Sequence, residues 1–451
     1  MDSAVKKDYL FSNKQLFKLI LPLVLEQLLT ILVGMADTIM VSAAGENAVS
    51  GVSLVDTVNL LIINVFIALA TGGAVVSGQY IGSGRKDNAC KSADQLFVFM
   101  FVVSLFIMVV MYLLHSFILD VVFGSITPEV HEDAFIYLMI VTAAIPFIAI
   151  YNAGAAIFRA MGNSAVSMKV SMTMNAINVG GNAILVYGMK WGVVGVAIPT
   201  VLSRIAAAVL MVLLLRNDKY PIHLSKPFKY KFNGEMVKKM CYIGIPNSVE
   251  NSMFQLGKIL VLSLVSTFGT ASIAANAVGN NIANIQCIAG LAMSFAVSAV
   301  VSQCVGANDF VQARYYIKKM LIICYIIMFA VNLCMFPFIT KIIGIYSLSD
   351  ETMELARQIL ILHGANCCIT WPVAFNIPNA LRACADVKYT LIVSMLTMWI
   401  VRIGLSFVFG KYMGMGLFGV WLAMILDWVV RALFFTTRFL GQKWEGKSLV
   451  S

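Results

Sequence analysis

The chain contains two copies of one residue pattern, separated by 224 positions. The repeated pairs are Pro22 and Pro246, Glu26 and Glu250, Ser42 and Ser266, Gly45 and Gly269, Gln79 and Gln303, and Gly82 and Gly306. The offset slips to 223 where Arg159 meets Arg382, and it returns to 224 where Gly192 meets Gly416. A period of this length indicates a duplicated domain and not a solenoid of short repeats.

Apolar runs of about 20 residues, the length that a helix needs to cross the hydrocarbon core of a bilayer, recur through both halves. They lie at 19–42, 58–81, 96–115, 134–157, 168–188, 193–215, 242–266, 282–305, 318–340, 358–380, 389–410 and 417–439. A hydrophobic fraction of 60% with only 12% charged residues excludes an ordinary soluble domain. The runs lack strand alternation, which excludes a β-barrel.

We therefore predict an all-α polytopic membrane protein with about twelve transmembrane helices. Six helices form each of two pseudo-symmetric lobes, residues 1–220 and 221–451, and residues 221–240 form a cytoplasmic linker. In a membrane protein, duplicated halves of this kind are typical of a transporter whose substrate path lies between them.

The net charge of +10 is distributed unevenly along the chain. Basic residues cluster before the first run, after the second run and in the linker, whereas the loops at the opposite ends carry little positive charge and hold the acidic groups Asp120, Glu129, Glu132, Asp133, Asp350, Glu351 and Glu354. By the positive-inside rule this asymmetry predicts a multi-pass protein of the plasma (inner) membrane with both termini cytoplasmic. The charge is thus explained by orientation, and we expect no nucleic-acid partner.

Ionisable residues inside the runs are costly in hydrocarbon, so each indicates a partner or a water-filled cavity. They are Glu26, Asp37, Arg204, Glu250, Lys258, Arg402, Asp427 and Arg431. Asp427 and Arg431 stand at i and i+4 on one helix and are expected to pair with each other or with Arg402, in a structural ion network inside the bundle. Glu26 and Glu250 are candidates for the substrate cavity, and a structural role inherited through duplication remains the alternative.

Three amides, Asn175, Asn178 and Asn182, follow the spacing i, i+3 and i+7, which places them on one face of the fifth helix. This face points into the bundle, because lipid cannot satisfy amide groups. Interhelical hydrogen bonding is one explanation. The other is an all-oxygen cation site, to which Asp37 and Thr200 would contribute.

These residues lie in segments that resemble the multidrug and toxic compound extrusion (MATE) family of cation-coupled antiporters. The segments are GMADTIMVS at 34–42, NAINVGGNAILVYG at 175–188, GVVGVAIPTVLS at 192–203, QYIGSGRKDNA after the second run and QCVGANDFVQA after the eighth. The resemblance covers nearly the whole chain, and it comes from the order, spacing and duplication of the segments.

The resemblance implies that the chain exports lipophilic, often cationic organic compounds in exchange for H+ or Na+. It places the coupling-cation site, with Na+ as a candidate metal ion, at Asp37, Asn178, Asn182 and Thr200. Substrate-cavity or second-lobe candidates are Glu26, Asn175, Glu250, Lys258, Asp427 and Arg402. No cofactor is expected, and we expect a monomer embedded in the bilayer. The chain departs from the family where some members carry an aspartate at the position of Asn182.

Two other functions stay open at the level of sequence. A lipid-linked oligosaccharide flippase of the same superfamily would concentrate cationic residues in its cavity, and Arg204, Lys258, Arg402 and Arg431 fit that need. A membrane-embedded enzyme would need a nucleophile with a base, or clustered metal ligands. The sequence contains no HExxH, GxSxG or phosphate-binding glycine loop, so an enzyme is not predicted.

Overall fold

The computed structural model describes residues 9–124, 126–225, 231–346 and 348–450. These residues form helices and no strands, as the sequence predicts. The helices of the first half are α1 Asn13–Ser42, α2 Glu46–Gly82, α3 Lys86–Leu113, α4 Pro128–Thr142, α5 Ile145–Ala160, α6 Ser164–Asn182 and α7 Gly192–Leu215. Wider π-helical turns, Phe117–Val122 and Ala183–Gly188, follow α3 and α6.

The second half repeats this order with more interruptions. Its helices are α8 Gly234–Ser266, α9 Thr270–Gln286, α10 Ile288–Gly306, α11 Phe310–Met335, α12 Ile339–Gly344, α13 Asp350–Trp371, α14 Ile377–Ala383, α15 Val387–Leu396 and α16 Gly416–Leu440. Phe336–Phe338 is a 3-10 turn, and Pro372–Asn376, Thr397–Gly404 and Ser406–Tyr412 are π-helical.

Nine continuous helical segments of the described residues are long and apolar enough to cross a membrane, if consecutive elements such as α11 with α12 are taken together, or ten if α4 and α5, which meet at a bend of 51°, form one span. The sequence predicts about twelve. The difference comes from α6 and α8, which do not meet the criterion because polar side chains interrupt their apolar character. Several of these polar side chains are buried against neighbouring helices, among them Asn178 and Asn182 of α6 and Asn247 and Ser248 of α8, where they can find partners.

Helix boundaries follow local chemistry. Ser12 and Gln15 form a capping box at the start of α1, in which each side chain accepts from the other residue's backbone N–H. Gly45 and Gly269 precede α2 and α9 with φ of +114° and +96°, a conformation that favours glycine. The glycine is therefore repeated because the same turn is repeated.

Two hydrophobic cores correspond to the two halves, but the start of one helix from each half is buried in the core of the other half. Leu16, Leu19 and Leu23 of α1 are fully buried in the core of the second half. Met236 and Met240 of α8 are buried in the core of the first half. The two halves are thus joined by α1 and α8, which are equivalent helices in the repeat.

A symmetric set of contacts closes the halves against each other at one end of the bundle, and we call it the seam: Gln79, Gly82, Ala160, Gln303, Gly306 and Ala383. Gln79 Nε2 donates to the Ala383 carbonyl at 2.9 Å, and Gln303 Nε2 donates to the Ala160 carbonyl at 2.6 Å. Both bonds cross between the halves. The glycines are required by the close approach of α2 and α10, because a Cβ on Gly82 would collide with the Gln303 carbonyl and one on Gly306 with the Gln79 carbonyl.

Both chain ends reach across the same end of the bundle. The backbone N–H of Leu449 donates to Gln79 Oε1 at 2.9 Å, and Arg85 Nη1 donates to the Val450 carbonyl at 2.9 Å. The N-terminal segment is held by the second half, since the Tyr316 hydroxyl lies 2.8 Å from both the N–H and the carbonyl of Phe11. The C-terminal segment therefore contacts the seam, and the N-terminal segment lies against α11 of the second half.

Gly82→Ala should destabilise the closed seam, because the added methyl group meets backbone and not a flexible side chain. We expect a loss of about 1 to 3 kcal/mol in the free energy of unfolding, typical of overpacking, measured by thermal unfolding in detergent. Gly344→Ala is the matched control, since no atom lies within 4 Å of its new methyl group. Equal stability of the two variants would show that the close approach of α2 and α10 is not maintained in solution.

Candidate functional site

The structure brings together the four residues of the predicted coupling-cation site. Asn182 Nδ2 donates to Asp37 Oδ1 at 3.2 Å. When the Asn178 amide nitrogen is oriented toward Asp37, it donates to Oδ1 at 2.9 Å and to Oδ2 at 3.1 Å. The Asn178 oxygen then accepts from Thr200 Oγ1 at 3.1 Å. One half-buried carboxylate on α1 thus binds two buried amides on α6, and one of these amides, that of Asn178, contacts a hydroxyl on α7.

Close packing of α6 and α7 makes this geometry possible. A Cβ at Gly181 would collide with the ring of Pro199, so the glycine lets α7 approach α6 beside Asn182 and Thr200. Asn178 and Asn182 are one turn apart on α6 and face α1 together. Asn175, the third amide of the predicted face, is half-buried and makes none of the hydrogen bonds of this group.

The donor set suits a hard cation. The buried Asn182 Oδ1 has no hydrogen-bond partner among the described residues, so an unused acceptor lies beside the Asp37 carboxylate. Carboxylate, amide and hydroxyl oxygens are the ligands that hard cations prefer. The same carboxylate could instead take up a proton. The arrangement can therefore hold Na+ or H+.

A second acidic group extends this site and is absent from the sequence prediction. Asp56 Oδ1 accepts hydrogen bonds from the Tyr137 hydroxyl at 3.1 Å and from Asn59 Nδ2 at 3.4 Å. Asp56 also interacts electrostatically with Asp37 and with Arg204. The prediction missed it because the apolar run begins at residue 58, whereas α2 begins at Glu46 and carries Asp56 into the bundle. The sequence signal that could have revealed Asp56 is the segment before the apolar run, residues 46–57, which can continue the same helix.

A cavity of about 470 Å³ lies between the halves, and most of its wall comes from the second half. Charged side chains in its lining are Arg159, Glu250, Lys258, Arg382, Arg402 and Arg431. Aromatic side chains in its lining are Phe254, Phe295, Trp371, Phe375, Trp399, Trp421 and Trp428. The first half contributes Gln27 of α1, Asn64 and Thr71 of α2, and Arg159 of α5. Both the volume and the mixed lining are typical of small-molecule sites.

The repeated glutamates each face the repeated arginine of their own half. Arg382 Nη2 donates to both carboxylate oxygens of Glu250 at 2.8 Å. Arg159 Nη1 lies 3.9 Å from Glu26 Oε1, and the Ser167 hydroxyl donates to Glu26 Oε2 at 2.9 Å. Glu250 lines the cavity with its charge balanced by Arg382, and Glu26 is not part of the lining. Sequence reasoning found the four repeated positions but not their pairing.

The remaining candidates fall into two groups. Asp427 and Arg431 form the ion pair that their spacing predicts, with Arg431 Nε 3.0 Å from Asp427 Oδ1, and Asp427 is fully buried behind the cavity wall. Lys258 and Arg402 belong to the lining itself. Their positions are therefore compatible with direct contact to a substrate.

A group of soft ligands, Cys287, His363 and Cys367, also lies in the second half. Its donor atoms lie within 4.8 Å of one another and all three residues are buried. His363 Nδ1 is 2.6 Å from Gln286 Oε1, which leaves Nε2 facing Cys287 Sγ at 3.9 Å. Two thiols and an imidazole suit a soft metal ion. The chain spacing reveals only part of the group, because His363 and Cys367 stand at i and i+4 on α13 whereas Cys287 comes from the junction of α9 and α10.

A multi-pass helical architecture with a cavity between repeated halves is typical of a membrane transporter. The family model described as MatE matches residues 22–184 and 246–408, two ranges that are again 224 residues apart. The chain belongs to this family, the MATE multidrug efflux transporters.

Curated relatives extend over the whole chain. An uncharacterised transporter, YisQ of Bacillus subtilis, is 27% identical over 99% of this chain and 98% of that protein. The probable multidrug resistance protein NorM of Thermotoga maritima is 24% identical over 97% and 94%. A solved outward-facing MATE multidrug transporter is 20% identical over 95% of this chain and 96% of that one, with a TM-score of 0.86. The fold of this chain is thus the MATE fold.

Glu250→Gln should destabilise the protein, because it leaves the buried Arg382 guanidinium without its counter-charge. Removing one partner of a buried ion pair costs about 3 kcal/mol, and the measurement is unfolding in detergent. The double variant Glu250→Gln with Arg382→Leu should regain most of that loss. Glu354→Gln breaks an exposed Glu–Arg pair and serves as the control, with little expected change. A Glu250→Gln protein as stable as Glu354→Gln would contradict the pairing.

Proposed function

We propose that this chain is an antiporter that exports lipophilic organic compounds in exchange for H+ or Na+ by alternating access. The observation that carries the proposal is the Asp37 carboxylate beside an unused amide oxygen of Asn182, within a bundle of α1, α6 and α7. A site of this kind responds to a cation, because binding cancels the carboxylate charge and changes which hydrogen bonds the amides can make.

Helix α1 provides the route from ion to cavity. Its first turns are buried in the core of the second half, Gln27 lines the cavity, and Asp37 lies in the ion site of the first half. A change in the partners of Asp37 therefore acts on a helix that both halves hold. Such a helix can favour one of two packings of the halves, which is what coupling requires.

We propose that both termini and the seam face the cytoplasm of a bacterial cell, in the plasma membrane. The seam joins α2 and α10, and the basic residues Arg85, Lys86, Arg314 and Lys318 follow these helices. In this orientation the seam closes the inner side of the path. One chain holds an ion site and a cavity, so we propose that it works as a monomer, without cofactor or enzymatic step.

A lipid-linked oligosaccharide flippase is the second candidate, and the cationic lining of the cavity is the observation that favours it. The two functions differ in whether transport depends on an ion gradient across the membrane that acts through Asp37. Movement of a lipid-linked pyrophosphate that is unaffected by pH and Na+ gradients would favour the flippase.

Asp37→Asn should abolish gradient-driven efflux while the protein still folds, because the isosteric amide keeps the size of the side chain and removes the charge. Transport would be measured in liposomes with pH and Na+ gradients imposed separately. Asp87→Asn makes the same chemical change at an exposed position of α3 and should transport normally. Normal efflux by a well-folded Asp37→Asn protein would exclude this carboxylate as the coupling group.

Asn182→Ala and Thr200→Ala should distinguish a cation site from helix packing. If these oxygens bind Na+, each change weakens Na+ binding tenfold or more, while the free energy of unfolding falls by only about 1 to 2 kcal/mol. Isothermal titration calorimetry measures the affinity for Na+, and unfolding in detergent measures the stability. Variants that unfold easily but bind Na+ normally would assign the amide face to packing alone.

A further inference from the structure

Two cations in the cavity lining lack a carboxylate partner. Arg159, Arg382 and Arg431 pair with Glu26, Glu250 and Asp427. In contrast, no carboxylate oxygen lies within 4.0 Å of Lys258 or Arg402 among the described residues. Asp427 is close enough to interact electrostatically with Arg402, but its hydrogen bond goes to Arg431. The cavity therefore carries positive charge that the protein itself does not balance.

The unbalanced charges converge on one aromatic ring. Lys258 Nζ lies 5.0 Å and Arg402 Cζ 5.3 Å from the centroid of Phe254, and Arg431 Cζ lies 5.8 Å from it. Arg402 is only 8% exposed. Contact with a ring is a weaker compensation than a counter-ion, and Lys258 and Arg402 repel each other. An anion bound between them would remove that repulsion.

Among the fully buried side-chain atoms of the lining that lack a partner in the described structure, donors predominate. The indole Nε1 atoms of Trp399 and Trp428 and the Nε of Arg382 are buried without an acceptor in the described structure. Indole and guanidinium N–H groups can only donate. Ser394 Oγ, also unused, can do either. Acceptor atoms on a ligand would therefore suit the buried donors of this wall, whereas the amide side chains that also line the cavity, among them Asn251, Gln255 and Asn284, can donate or accept.

Much of the rest of the lining is apolar or aromatic, alongside polar amide and hydroxyl side chains. Phe254, Phe295, Phe375 and Trp371 line the same 470 Å³ cavity as the unpaired cations. Phe375 stacks on Trp371 with centroids 4.7 Å apart, which offers a flat surface. A small, wholly polar anion would leave this apolar surface in contact with water, whereas an amphipathic anion would bury it.

We propose that the cavity binds amphipathic organic anions, with a carboxylate or sulfonate between Lys258 and Arg402 and an apolar or aromatic body against the ring-lined wall. This assignment rests on the exporter function proposed above and specifies its substrate class. It departs from the cationic compounds that the family resemblance implies, because Glu250, the only carboxylate of the described lining, is already bound by Arg382. Anionic lipids have the same combination of an anionic head group and an apolar body.

Binding to purified protein without any gradient tests the charge preference. The probes are dansylglycine, its neutral methylamide and a dansylaminoethyl-trimethylammonium cation, which share one fluorophore. In detergent we expect the anion to bind at least tenfold more tightly than the cation. Lys258→Gln should weaken anion binding about tenfold and change binding of the neutral amide less than threefold. Lys169→Gln, on an exposed position of α6 outside the lining, is the control.

Several results would overturn the proposal. They are equal or tighter binding of the cation, unchanged anion binding in both Lys258→Gln and Arg402→Gln, or binding of phosphatidylglycerol in nanodiscs with no binding of dansylglycine. The Asp37→Asn protein separates this proposal from the exporter function, since it should still bind dansylglycine. Normal anion binding by a wild-type protein that shows no gradient-driven transport would reject the exporter function and keep the cavity assignment.

Discussion

Charged groups cannot be left unsatisfied in hydrocarbon, and the arrangement of this protein follows from that constraint. Its intramembrane charges lie inside the bundle, where helices, cavity water or a ligand can meet their needs. They form two main groups. One surrounds Asp37 in the first half, and the other lines the cavity of the second half. The remaining surface is free to be apolar, which is why the sequence reads as a membrane protein before any motif is considered.

Duplication explains the shared framework but not the two charge groups. The seam and the Glu–Arg pairs occupy equivalent positions in both halves. The charged sites break the symmetry on the equivalent helices α1 and α8. Asp37 of α1 corresponds to Val261, and Lys258 of α8 corresponds to Gly34, at the offset of 224 residues. Helix α1 carries a carboxylate where α8 has a neutral side chain, and α8 carries an ammonium group where α1 has a glycine. The halves have thus diverged in charge while keeping the contacts that close them together.

Sequence alone predicts what depends on local spacing. The helical class, the amide face of Asn178 and Asn182, and the ion pair of Asp427 with Arg431 all follow from residues within a few turns of each other. It does not predict what depends on packing between distant segments. Glu250 and Arg382 are 132 positions apart, so no spacing rule connects them. Asp56 was missed because hydropathy marks the apolar middle of a helix and not its polar end. The charge balance of the cavity emerges only when every partner is known.

An anionic cargo would also change the energetics of coupling. Exchange of one inward cation for one outward organic cation moves no net charge, so the membrane potential does no work on it. Exchange of one inward cation for one outward organic anion moves two charges in the direction that an inside-negative potential favours. At about 2.3 kcal/mol per charge for each 100 mV, the potential would then supply roughly 4.6 kcal/mol per cycle. Under the proposed coupling through Asp37, a cavity with unbalanced Lys258 and Arg402 would thus suit an antiporter driven largely by voltage.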